Sequence, residues 1–347
     1  MNAALAGDLD EILDAAADDL RHFAGTRWYV TGGTGFVGTW LLRTVARANR
    51  RLGTNIRADV LTRAPDAVRK RTPDLEADDA LRFVQGDVRA PVGDGSYDAV
   101  VHAATPSTGG MNENEPDQLL EVIVDGTRAL IERVIAPSGR VPVLLTSSGA
   151  VYGRQPSELA RIPESYAGAP DCLAPNSAYH EGKRVAELEL AIAQAAGAGR
   201  LRPARLFAFV GPGLPLDAHY AAGNFVRDAL AGGPIRVRGD GTPYRSYLYP
   251  TDMVAWMLAI FARGGDARAY NVGSEEAVTI GDLAALVARS AGPPVTVEIA
   301  RGPQPGAAPE RYVPDCSRIT TELNVQPRVG LELAIERTLA FHRARTA

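Results

Sequence analysis

Tyr179 and Lys183 stand four residues apart in the stretch YHEGK, within a predicted helix. Side chains at positions i and i+4 project from the same helix face, so the phenol and the ammonium group are neighbours. The ammonium group is expected to favour the phenolate and to lower a pKa that is normally about 10. Many helices contain such a pair. It therefore indicates proton transfer only if other elements bring a substrate alcohol and a hydride acceptor to it.

Hydroxyl groups that could hold a substrate oxygen occur upstream, in the stretch TSSGAVYG. Thr146, Ser147 and Ser148 end a predicted strand, where a hydroxyl can contact a bound ligand. With one of them on the substrate oxygen, Tyr179 would accept the alcohol proton while hydride leaves carbon, or the reverse.

A hydride acceptor is predicted by the glycine-rich stretch TGGTGFVG, which lies between a β-rich run and a helical segment. The first glycine, Gly32, permits a tight turn, and the second, Gly35, lets the backbone approach a pyrophosphate. The third, Gly38, lets the helix pack on the strand, and the first N–H groups of the helix then face the anion. Strand and helix flank the motif as the fingerprint requires, so the sequence predicts a dinucleotide site.

The end of the second strand, ADVLTR, bears on which dinucleotide binds. A carboxylate in this region usually bonds the ribose 2′-hydroxyl of NAD, but here the strand ends in Thr62 and Arg63. A guanidinium grips phosphate through paired donors, which favours NADP(H). NAD stays open, because Asp66 follows shortly and Arg63 could equally face solvent. Asp87 is expected to meet the adenine ring, and the HAAT stretch to line the middle of the cofactor.

Short apolar runs alternate with helical segments from Trp28 onwards, and they read WYVTGG, ADVLTR, LRFVQGD, YDAVVHAA and VPVLLTSS. Strands that alternate with helices indicate parallel pairing in a sheet covered on both faces. We therefore expect an α/β fold, a Rossmann-type doubly wound parallel sheet with a smaller, mostly C-terminal substrate-binding lobe. Further helices are predicted over roughly 116–135 and 176–196.

The chain divides into three predicted parts. Residues 1–26 form an N-terminal extension with an amphipathic helix at about 8–23, which we expect to lie on the outside of the body as a packing or oligomer contact. The NAD(P)-binding domain covers 27–204 and about 244–272, and the substrate-binding lobe covers about 205–243 and 273–347. After Ala198 the chain is rich in Gly and Pro, and its regular helices are predicted at TDMVAWMLAIFARG and LELAIERTLAFHRAR.

Composition excludes several classes of function. The net charge of −4 implies no strong field for nucleic acid or membrane, and the basic cluster at 69–71 is expected to be a solvated helix face. Two cysteines, Cys172 and Cys316, and five scattered histidines predict neither a disulfide framework nor a metal site. The acidic N-terminus is unlike a signal peptide, and no apolar run reaches the roughly 20 residues of a membrane span. A soluble, cytoplasmic protein is expected.

The motifs TGGTGFVG, GDV, HAAT, SSGAVYG, YHEGK and GDGTPYRSYLYPTD follow one another from about Trp28 to the C-terminus. In this order and spacing the chain resembles an extended short-chain dehydrogenase/reductase of the nucleotide-sugar epimerase/dehydratase branch. The resemblance implies Ser148 as the catalytic hydroxyl, with Ser147 as the alternative, Tyr179 as acid/base, and Lys183 as its pKa-lowering partner and ribose ligand. The cofactor-binding residues it implies are Gly32, Gly35, Phe36, Val37, Gly38, Thr62, Arg63, Asp87, Val88, Ala103, Ala104, Thr105, Tyr179 and Lys183.

The same resemblance implies a nucleotide-diphosphate sugar as substrate, bound in part by Ser148. Asn224 in GNFVRDAL matches a residue that contacts the nucleotide-sugar, and Arg245 in GDGTPYR matches the arginine on the diphosphate. Arg311 in PERYVPD is a second candidate for that role, and a surface salt bridge is the alternative for each arginine. Near the catalytic tyrosine, Cys172 is expected to pack in the core and His180 to face solvent.

Two departures from the family pattern limit the chemistry. Sugar 4,6-dehydratases carry an Asp-Glu pair just after the catalytic hydroxyl, and decarboxylating relatives keep the glutamate, whereas this chain has Gly149 and Ala150. Neither residue can transfer a proton, so dehydration and decarboxylation are not expected. Asp125 and Ala208 stand where relatives commonly have asparagine, which affects active-site support and diphosphate binding.

The remaining chemistry is reversible oxidation at one sugar carbon. A C4-epimerase that acts through a transient 4-keto sugar is the first expectation, because TSSGAVYG most resembles that group. An NADPH-dependent 4-ketoreductase is the close alternative. A dinucleotide-sensing protein without catalysis is disfavoured by the retained Tyr-Lys pair. The resemblance also implies a homodimer formed through the helices at 116–135 and 176–196.

Overall fold

The computed structural model describes residues 3–106, 109–218, 220–293, 295–303, 306 and 308–346. Its strands are β1 (Arg27–Thr31), β2 (Arg57–Thr62), β3 (Leu81–Gln85), β4 (Ala99–His102), β5 (Pro142–Ser148), β6 (Arg200–Leu206), β7 (Ala208–Phe209), β8 (Ile235–Val237), β9 (Tyr244–Arg245), β10 (Tyr247–Leu248), β11 (Tyr270–Val272), β12 (Val278–Thr279), β13 (Val297–Ile299) and β14 (Arg311–Tyr312). Its helices are α1 (Ala3–His22), α2 (Phe36–Leu52), α3 (Pro65–Arg71), α4 (Pro73–Glu76), α5 (Gly109–Asn114), α6 (Pro116–Leu130), α7 (Ala136–Ser138), α8 (Ala178–Ala195), α9 (Ala221–Leu230), α10 (Pro250–Arg263), α11 (Ile280–Ser290), α12 (Ser317–Leu323) and α13 (Leu331–Thr346).

A seven-stranded sheet lies at the centre of the described structure, in the order β11-β6-β5-β4-β1-β2-β3. Every neighbouring pair in it is parallel. Strands β4 and β5 are buried along their whole length, as strands with helices on both faces must be. The predicted doubly wound α/β fold is thus confirmed.

Strands β1 and β4 are neighbours in the sheet although β2 and β3 lie between them in the chain. Thr31, the last residue of β1, pairs with His102, the last residue of β4. The turns that follow these strands therefore begin side by side. In doubly wound folds the crevice at such a reversal of strand order is the usual ligand site.

Helices α6 and α8 fall where helices were predicted and pack against each other on one face of the sheet. A π-helical turn over Ile131–Ile135 extends α6 to the end of the predicted range. Ile123 of α6 and Leu190 of α8 are buried in one apolar cluster with strand residues. This packing sets the position of the first turn of α8, which carries Tyr179.

Helix α1 packs on α10 and α2 as part of the main apolar core, and it begins at Ala3 rather than near residue 8. Its fully buried positions include Leu9, Ile12 and Leu20. Asp19 pairs with Arg263 of α10 at 2.6 Å. Buried Asp8 accepts a hydrogen bond from the hydroxyl of Tyr249 at 2.6 Å. The N-terminal segment is thus a packing element of the folded body.

A second apolar cluster joins α9, α11 and α13 with strands β8 and β13. Helices α9 and α11 were not predicted, because each is short and lies between Gly- and Pro-rich segments that dominate the local composition. Helix α12 packs on the core of the central sheet instead, through Ile319 and Leu323. The substrate lobe is therefore more regular than its composition suggests.

Helix α10 is apolar on every face because it lies between α1, α2 and the central sheet. Its residues from Pro250 to Ala262 are all buried. The helix has 14 residues, and among the described residues no helix combines the length and apolar character needed to cross a membrane.

Candidate active site

Two glycines in and just after the turn that follows β1 leave no room for a side chain. Gly32 has a positive φ of 71°, and a Cβ there would overlap the carbonyl oxygen of Ala103. A Cβ on Gly38 would overlap the carbonyl oxygen of Gly32, so the third glycine permits close packing of α2 on the turn. A Cβ on Gly35 would approach the protein no closer than 3.4 Å, so this residue faces the open side.

The N-terminus of α2 opens onto a cleft of about 1020 Å³. Its N-cap residue, Gly35, makes no side-chain capping bond, and Phe36 and Val37 line the cleft. The first N–H groups of a helix form an anion site when no side chain caps them. The glycine cradle and this helix end therefore fit the pyrophosphate of a dinucleotide.

The middle of the predicted cofactor site follows β4. Ala103 and Thr105 line the cleft, and the N–H groups of Ala103 and Ala104 lie 3.2 and 3.3 Å from the hydroxyl oxygen of Thr31. His102 lies behind them, and its ring nitrogens lie 2.8 and 3.0 Å from the hydroxyl oxygens of Thr31 and Thr127. Burial lowers the pKa of His102 to about 3, so this imidazole is a neutral structural group.

The residues predicted to bind the adenosine part of the cofactor lie in different surroundings. Thr62 is buried at the end of β2, and Arg63 is exposed. Asp87 pairs with Arg89 at 2.9 Å, and the bond from Arg89 lowers the pKa of Asp87. Val88 is buried in the cluster under α6. Within the described residues, none of these lines the cleft.

Arg71 is a functional candidate that the sequence analysis missed, because the cluster at 69–71 was taken as a solvated helix face. Its guanidinium donates a hydrogen bond to the carbonyl oxygen of Thr34 at 2.9 Å, within the glycine turn. It lines the cleft beside the N-terminus of α2. Arg43 of α2 binds Asp74 at 2.8 and 3.0 Å and so ties α4, which directly follows Arg71, to this helix.

The two serines at the end of β5 have different partners. Ser148 accepts a hydrogen bond from the N–H of Ala150 at 3.1 Å and caps the turn Gly149–Tyr152. Its hydroxyl also acts on the phenol of Tyr179, where it opposes the rise in the pKa that burial causes. Ser147, in contrast, donates to the carboxylate of Glu187. Consecutive strand residues point to opposite faces, and here it is Ser148 that meets the tyrosine.

Tyr179 and Lys183 share one face of α8, as their spacing predicts. The Lys183 ammonium nitrogen lies 6.0 Å from the centre of the Tyr179 ring. It donates to the hydroxyl of Thr105 at 2.8 Å and to the carbonyl oxygen of Thr146 at 2.7 Å. The N–H of Tyr179 donates to the side-chain oxygen of Asn112 at 3.0 Å, which anchors the start of the helix.

The pKa of Tyr179 is raised rather than lowered in this structure, so the pKa-lowering role of Lys183 stays a prediction. Burial raises the pKa of Tyr179, and the hydroxyl of Ser148 only partly opposes this. Burial also lowers the pKa of Lys183 to about 7, against the opposing charge of Glu187. Desolvation of the phenol is therefore the largest influence on the pKa of Tyr179.

Cys172 and His180 do not lie in the environments that were predicted, which were the core for Cys172 and the solvent for His180. Cys172 is exposed. His180 lines the cleft, and its Nδ1 is buried without a hydrogen-bond partner in the described structure. Burial lowers the pKa of His180, so the ring is neutral near pH 7.

Of the predicted substrate residues Asn224, Arg245 and Arg311, Arg245 lines the main cleft. Arg245 lines both the main cleft and a second cavity of about 400 Å³, which Asn224 also lines. The second cavity is cationic, since its lining also includes Arg227, Arg236 and Arg238. Arg311 stacks on the ring of Tyr244 at 4.1 Å and lines neither space in the described structure.

A family model described as "NAD dependent epimerase/dehydratase family" matches residues 28–273. The chain belongs to this family. UDP-glucuronic acid decarboxylase 1 of Arabidopsis thaliana is 29% identical over 320 residues, which cover 92% of this chain and 70% of that protein.

Solved structures of the family share the fold. A dTDP-glucose 4,6-dehydratase double mutant from Streptomyces venezuelae with NAD bound is 25% identical, with a TM-score of 0.76 over 91% of this chain and 97% of that one. UDP-glucuronic acid 4-epimerase from Bacillus cereus, in complex with UDP-glucuronic acid and NAD, is 19% identical, with a TM-score of 0.75 over 92% and 99% of the two chains.

Gly149 stands where the resemblance implies an acid in sugar 4,6-dehydratases, and its surroundings are crowded. A Cβ on Gly149 would stand 2.6 Å from Cζ of Phe207 and 2.7 Å from the hydroxyl oxygen of Tyr312. The space for a catalytic acid is thus filled by aromatic side chains. Tyr312 was not predicted as a site residue, although it follows Arg311 in PERYVPD.

The other two departures lie in different settings. Asp125 is exposed and lies 4.0 Å from Arg128, on the surface of α6. Ala208 lines the cleft next to Phe207, where it supplies no polar group. Position 208 therefore lies at the wall of the cleft, whereas position 125 lies at the surface.

Proposed function

We propose that this protein is a C4-epimerase of nucleotide-diphosphate sugars, which acts through a transient 4-keto sugar. The observation that carries the proposal is the position of Ser148, Tyr179 and Lys183 in one cleft with the glycine turn. That cleft holds no acid at positions 149 and 150 to eliminate water or assist decarboxylation. Oxidation and reduction at one carbinol is the chemistry that these groups support.

Each side chain has a defined task in this reaction. Nicotinamide dinucleotide, when bound on the glycine turn, supplies reversible hydride acceptance. Tyr179 takes the proton of the C4 hydroxyl and returns it after the sugar presents its other face. Ser148 donates to the C4 oxygen and holds it beside the phenol. Lys183 binds Thr105 and Thr146 and presents its ammonium group to the phenol and to the cofactor ribose.

Arg245 is the proposed grip on the substrate diphosphate. It lies between the main cleft and the cationic cavity lined by Asn224, so a nucleotide in that cavity would direct its sugar toward Tyr179. Guanidinium groups bind diphosphate oxygens through paired hydrogen bonds. Arg311 is the weaker candidate, because its guanidinium is stacked on Tyr244 outside both spaces.

The proposed cofactor is NADP or NAD, with NADP favoured. Arg63 directly follows the second strand, where a carboxylate would suit the ribose of NAD, and Arg71 adds a second cation beside the glycine turn. NAD is the alternative, because the similar 4-epimerase and dehydratase structures contain NAD. A preference for NADPH favours the second candidate function, reduction of a nucleotide-4-keto sugar by the same residues.

The decarboxylase relative does not alter the proposal. The resemblance implies a glutamate in decarboxylating relatives where this chain has Ala150, which carries no group for proton transfer. A dinucleotide sensor without catalysis is also disfavoured, because such a protein has no need of the Tyr179–Lys183 pair.

Incubation of the purified protein with UDP-glucose or UDP-glucuronic acid, and with NAD⁺ or NADP⁺, tests the proposal. An epimerase converts the sugar to its C4 epimer, seen by NMR, without accumulation of reduced nicotinamide. Stoichiometric consumption of NADPH with a 4-keto sugar identifies the reductase instead. Binding of cofactor with every nucleotide-sugar unchanged contradicts both. Mass spectrometry of nucleotides that co-purify with the protein identifies the natural ligands.

A further inference from the structure

Helix α8 carries a third polar side chain on the face of the Tyr179–Lys183 pair. Glu187 lies four residues after Lys183, as Lys183 lies four residues after Tyr179, so the three side chains project together. The ammonium group of Lys183 donates to the carbonyl oxygen of Thr146 at 2.7 Å. The carboxylate of Glu187 accepts a hydrogen bond from the hydroxyl of Ser147. Two successive turns of α8 are therefore bonded to two consecutive residues near the end of β5.

Arg205 connects the carboxylate of Glu187 to the neighbouring strand. It stands opposite Ser147 in the register of β5 and β6. Its guanidinium donates to the two carboxylate oxygens of Glu187 at 3.0 and 2.7 Å, which is the paired geometry that makes such bonds strong. The side chains of Glu187 and Arg205 are only 16% and 17% exposed, so little water competes for these bonds. The ion pair thus fixes α8 against both strands.

The same guanidinium also holds the turn that follows Ser148. Arg205 donates to the hydroxyl of Tyr152 at 2.9 Å and lies 4.9 Å from the centre of its ring. Tyr152 ends this turn and is almost fully buried. Its hydroxyl donates to the side-chain oxygen of Asn271 at 2.8 Å, on the strand β11 that lies beyond β6 in the sheet. The residue before Ser148 and the turn after it are therefore both bonded to one ion pair.

We propose that Glu187 and Arg205 are positioning residues that set the separation between the Ser148 hydroxyl and the Tyr179 phenol. They act on Ser148 through the residues before and after it, and on Tyr179 through α8. In the described structure neither side chain lines the cleft, so neither is placed to touch a ligand. The inference rests on the proposed function, which gives Ser148 and Tyr179 their tasks at the C4 oxygen.

A double-mutant cycle with Glu187→Gln and Ser147→Ala tests the proposal. Glu187→Gln keeps the size of the side chain but removes the charge that pairs with Arg205. It should lower kcat for UDP-glucose or UDP-glucuronic acid about 10- to 100-fold, because a displacement of about 1 Å at the reacting groups has an effect of this scale. KM and dinucleotide binding should change less than about 2-fold. An ion pair that only stabilised the fold would leave kcat of the folded protein unchanged.

Ser147→Ala should lower kcat about 3- to 10-fold, as expected for the loss of one hydrogen bond. In the Glu187→Gln background it should have little further effect, because both substitutions remove the same bond. Independent effects of the two substitutions on kcat would show that Ser147 acts without Glu187, and would overturn the inference.

Glu189→Gln is the matched control for Glu187→Gln. Glu189 lies on the same helix and pairs with Arg128 of α6 at 2.7 Å, so its ion pair connects α8 to α6 and not to β5. This variant should keep wild-type kcat. Equal kcat values for Glu187→Gln and Glu189→Gln would also contradict the positioning role.

Chemical denaturation of the same variants needs no substrate. The double variant should lose less free energy of unfolding than the sum of the two single losses, since Ser147 and Glu187 share a bond. Additive losses would overturn the inference. Wild-type turnover by Glu187→Gln contradicts the positioning role alone, whereas a wild-type protein that leaves every nucleotide-sugar unchanged contradicts the proposed function, and this inference with it.

Discussion

The hydroxyl oxygen of Tyr312 lies 2.7 Å from the point where a Cβ on Gly149 would stand. Phe207 approaches the same point at 2.6 Å, and both rings are held by packing. We therefore expect Gly149→Ala to lower the free energy of unfolding by about 1–3 kcal/mol, the usual cost of overpacking. Chemical denaturation of the purified variant measures this change.

Gly7→Ala is the matched control for that substitution. Gly7 lies in α1, and a Cβ there would meet nothing within 4 Å. Replacement of a helix glycine by alanine is expected to raise the free energy of unfolding by up to about 1 kcal/mol. Equal effects of the two substitutions would show that position 149 is not tightly filled.

Tyr179→Phe removes the proposed acid/base and keeps the ring that fills the site. Cofactor binding should remain, while turnover should fall by at least about 10²-fold, the scale of a positioned proton-transfer group. Cofactor titration by fluorescence and turnover measured by NMR give the two quantities separately. Turnover near the wild-type level would rule out the proposed mechanism.

Lys183 should make stability depend on pH above neutrality. Burial lowers its pKa to about 7, so between pH 7 and its unfolded value of about 10.4 the unfolded chain binds more protons than the folded one. The free energy of unfolding should rise with pH across this range, relative to a Lys183→Met variant. Denaturation of both proteins at several pH values measures the difference. A constant difference would show that Lys183 keeps its ordinary pKa in the folded protein.

Arg63→Ala and Arg71→Ala test the preference for NADP. Each should weaken NADP binding about 10-fold, as expected for one charge-assisted hydrogen bond to phosphate, and NAD binding less. Arg69→Ala is the control, because Arg69 lies on the same helix and pairs with Glu76 at 3.2 Å. Calorimetric titration with both dinucleotides measures the effects. Equal losses for NAD and NADP would refute the assignment.

The outer surface of α6 and α8 tests the proposed homodimer. Leu188 and Ile192 lie one helical turn apart on α8 and are 59% and 56% exposed. Burial of this apolar surface against a second copy would stabilise a dimer. Leu188→Arg should therefore give a monomer in light scattering, whereas Ile299→Arg, at an exposed apolar site on β13, should not. A wild-type monomer would contradict the proposal at once.

Local sequence rules account for much of the site. The backbone of the turn itself accounts for two of the glycines, since Gly32 has a positive φ and a Cβ on Gly38 would overlap the carbonyl oxygen of Gly32. The Tyr179–Lys183 pair follows from helix periodicity alone. These features were predictable because the backbone that they require is encoded where they stand.

Contacts between distant segments decided the rest. The alternation of a strand places Ser147 and Ser148 on opposite faces of the sheet. Only the packing of α8 decides that Ser147 contacts Glu187 and that Ser148 faces Tyr179. The raised pKa of Tyr179 depends on the depth of its burial, which no local pattern encodes.

The sequence by itself determined the fold class, the glycine cradle and the absence of an acid at Gly149. The tertiary structure decided what occupies that space, since Tyr312 reaches Gly149 only because β14 pairs with β9 in the other lobe. The tertiary structure also places Arg71, at the end of α3, beside the glycine turn. The sequence of α3 has no distinctive pattern that predicts this contact. The physical reason is the same in both cases, because such contacts depend on how whole elements pack.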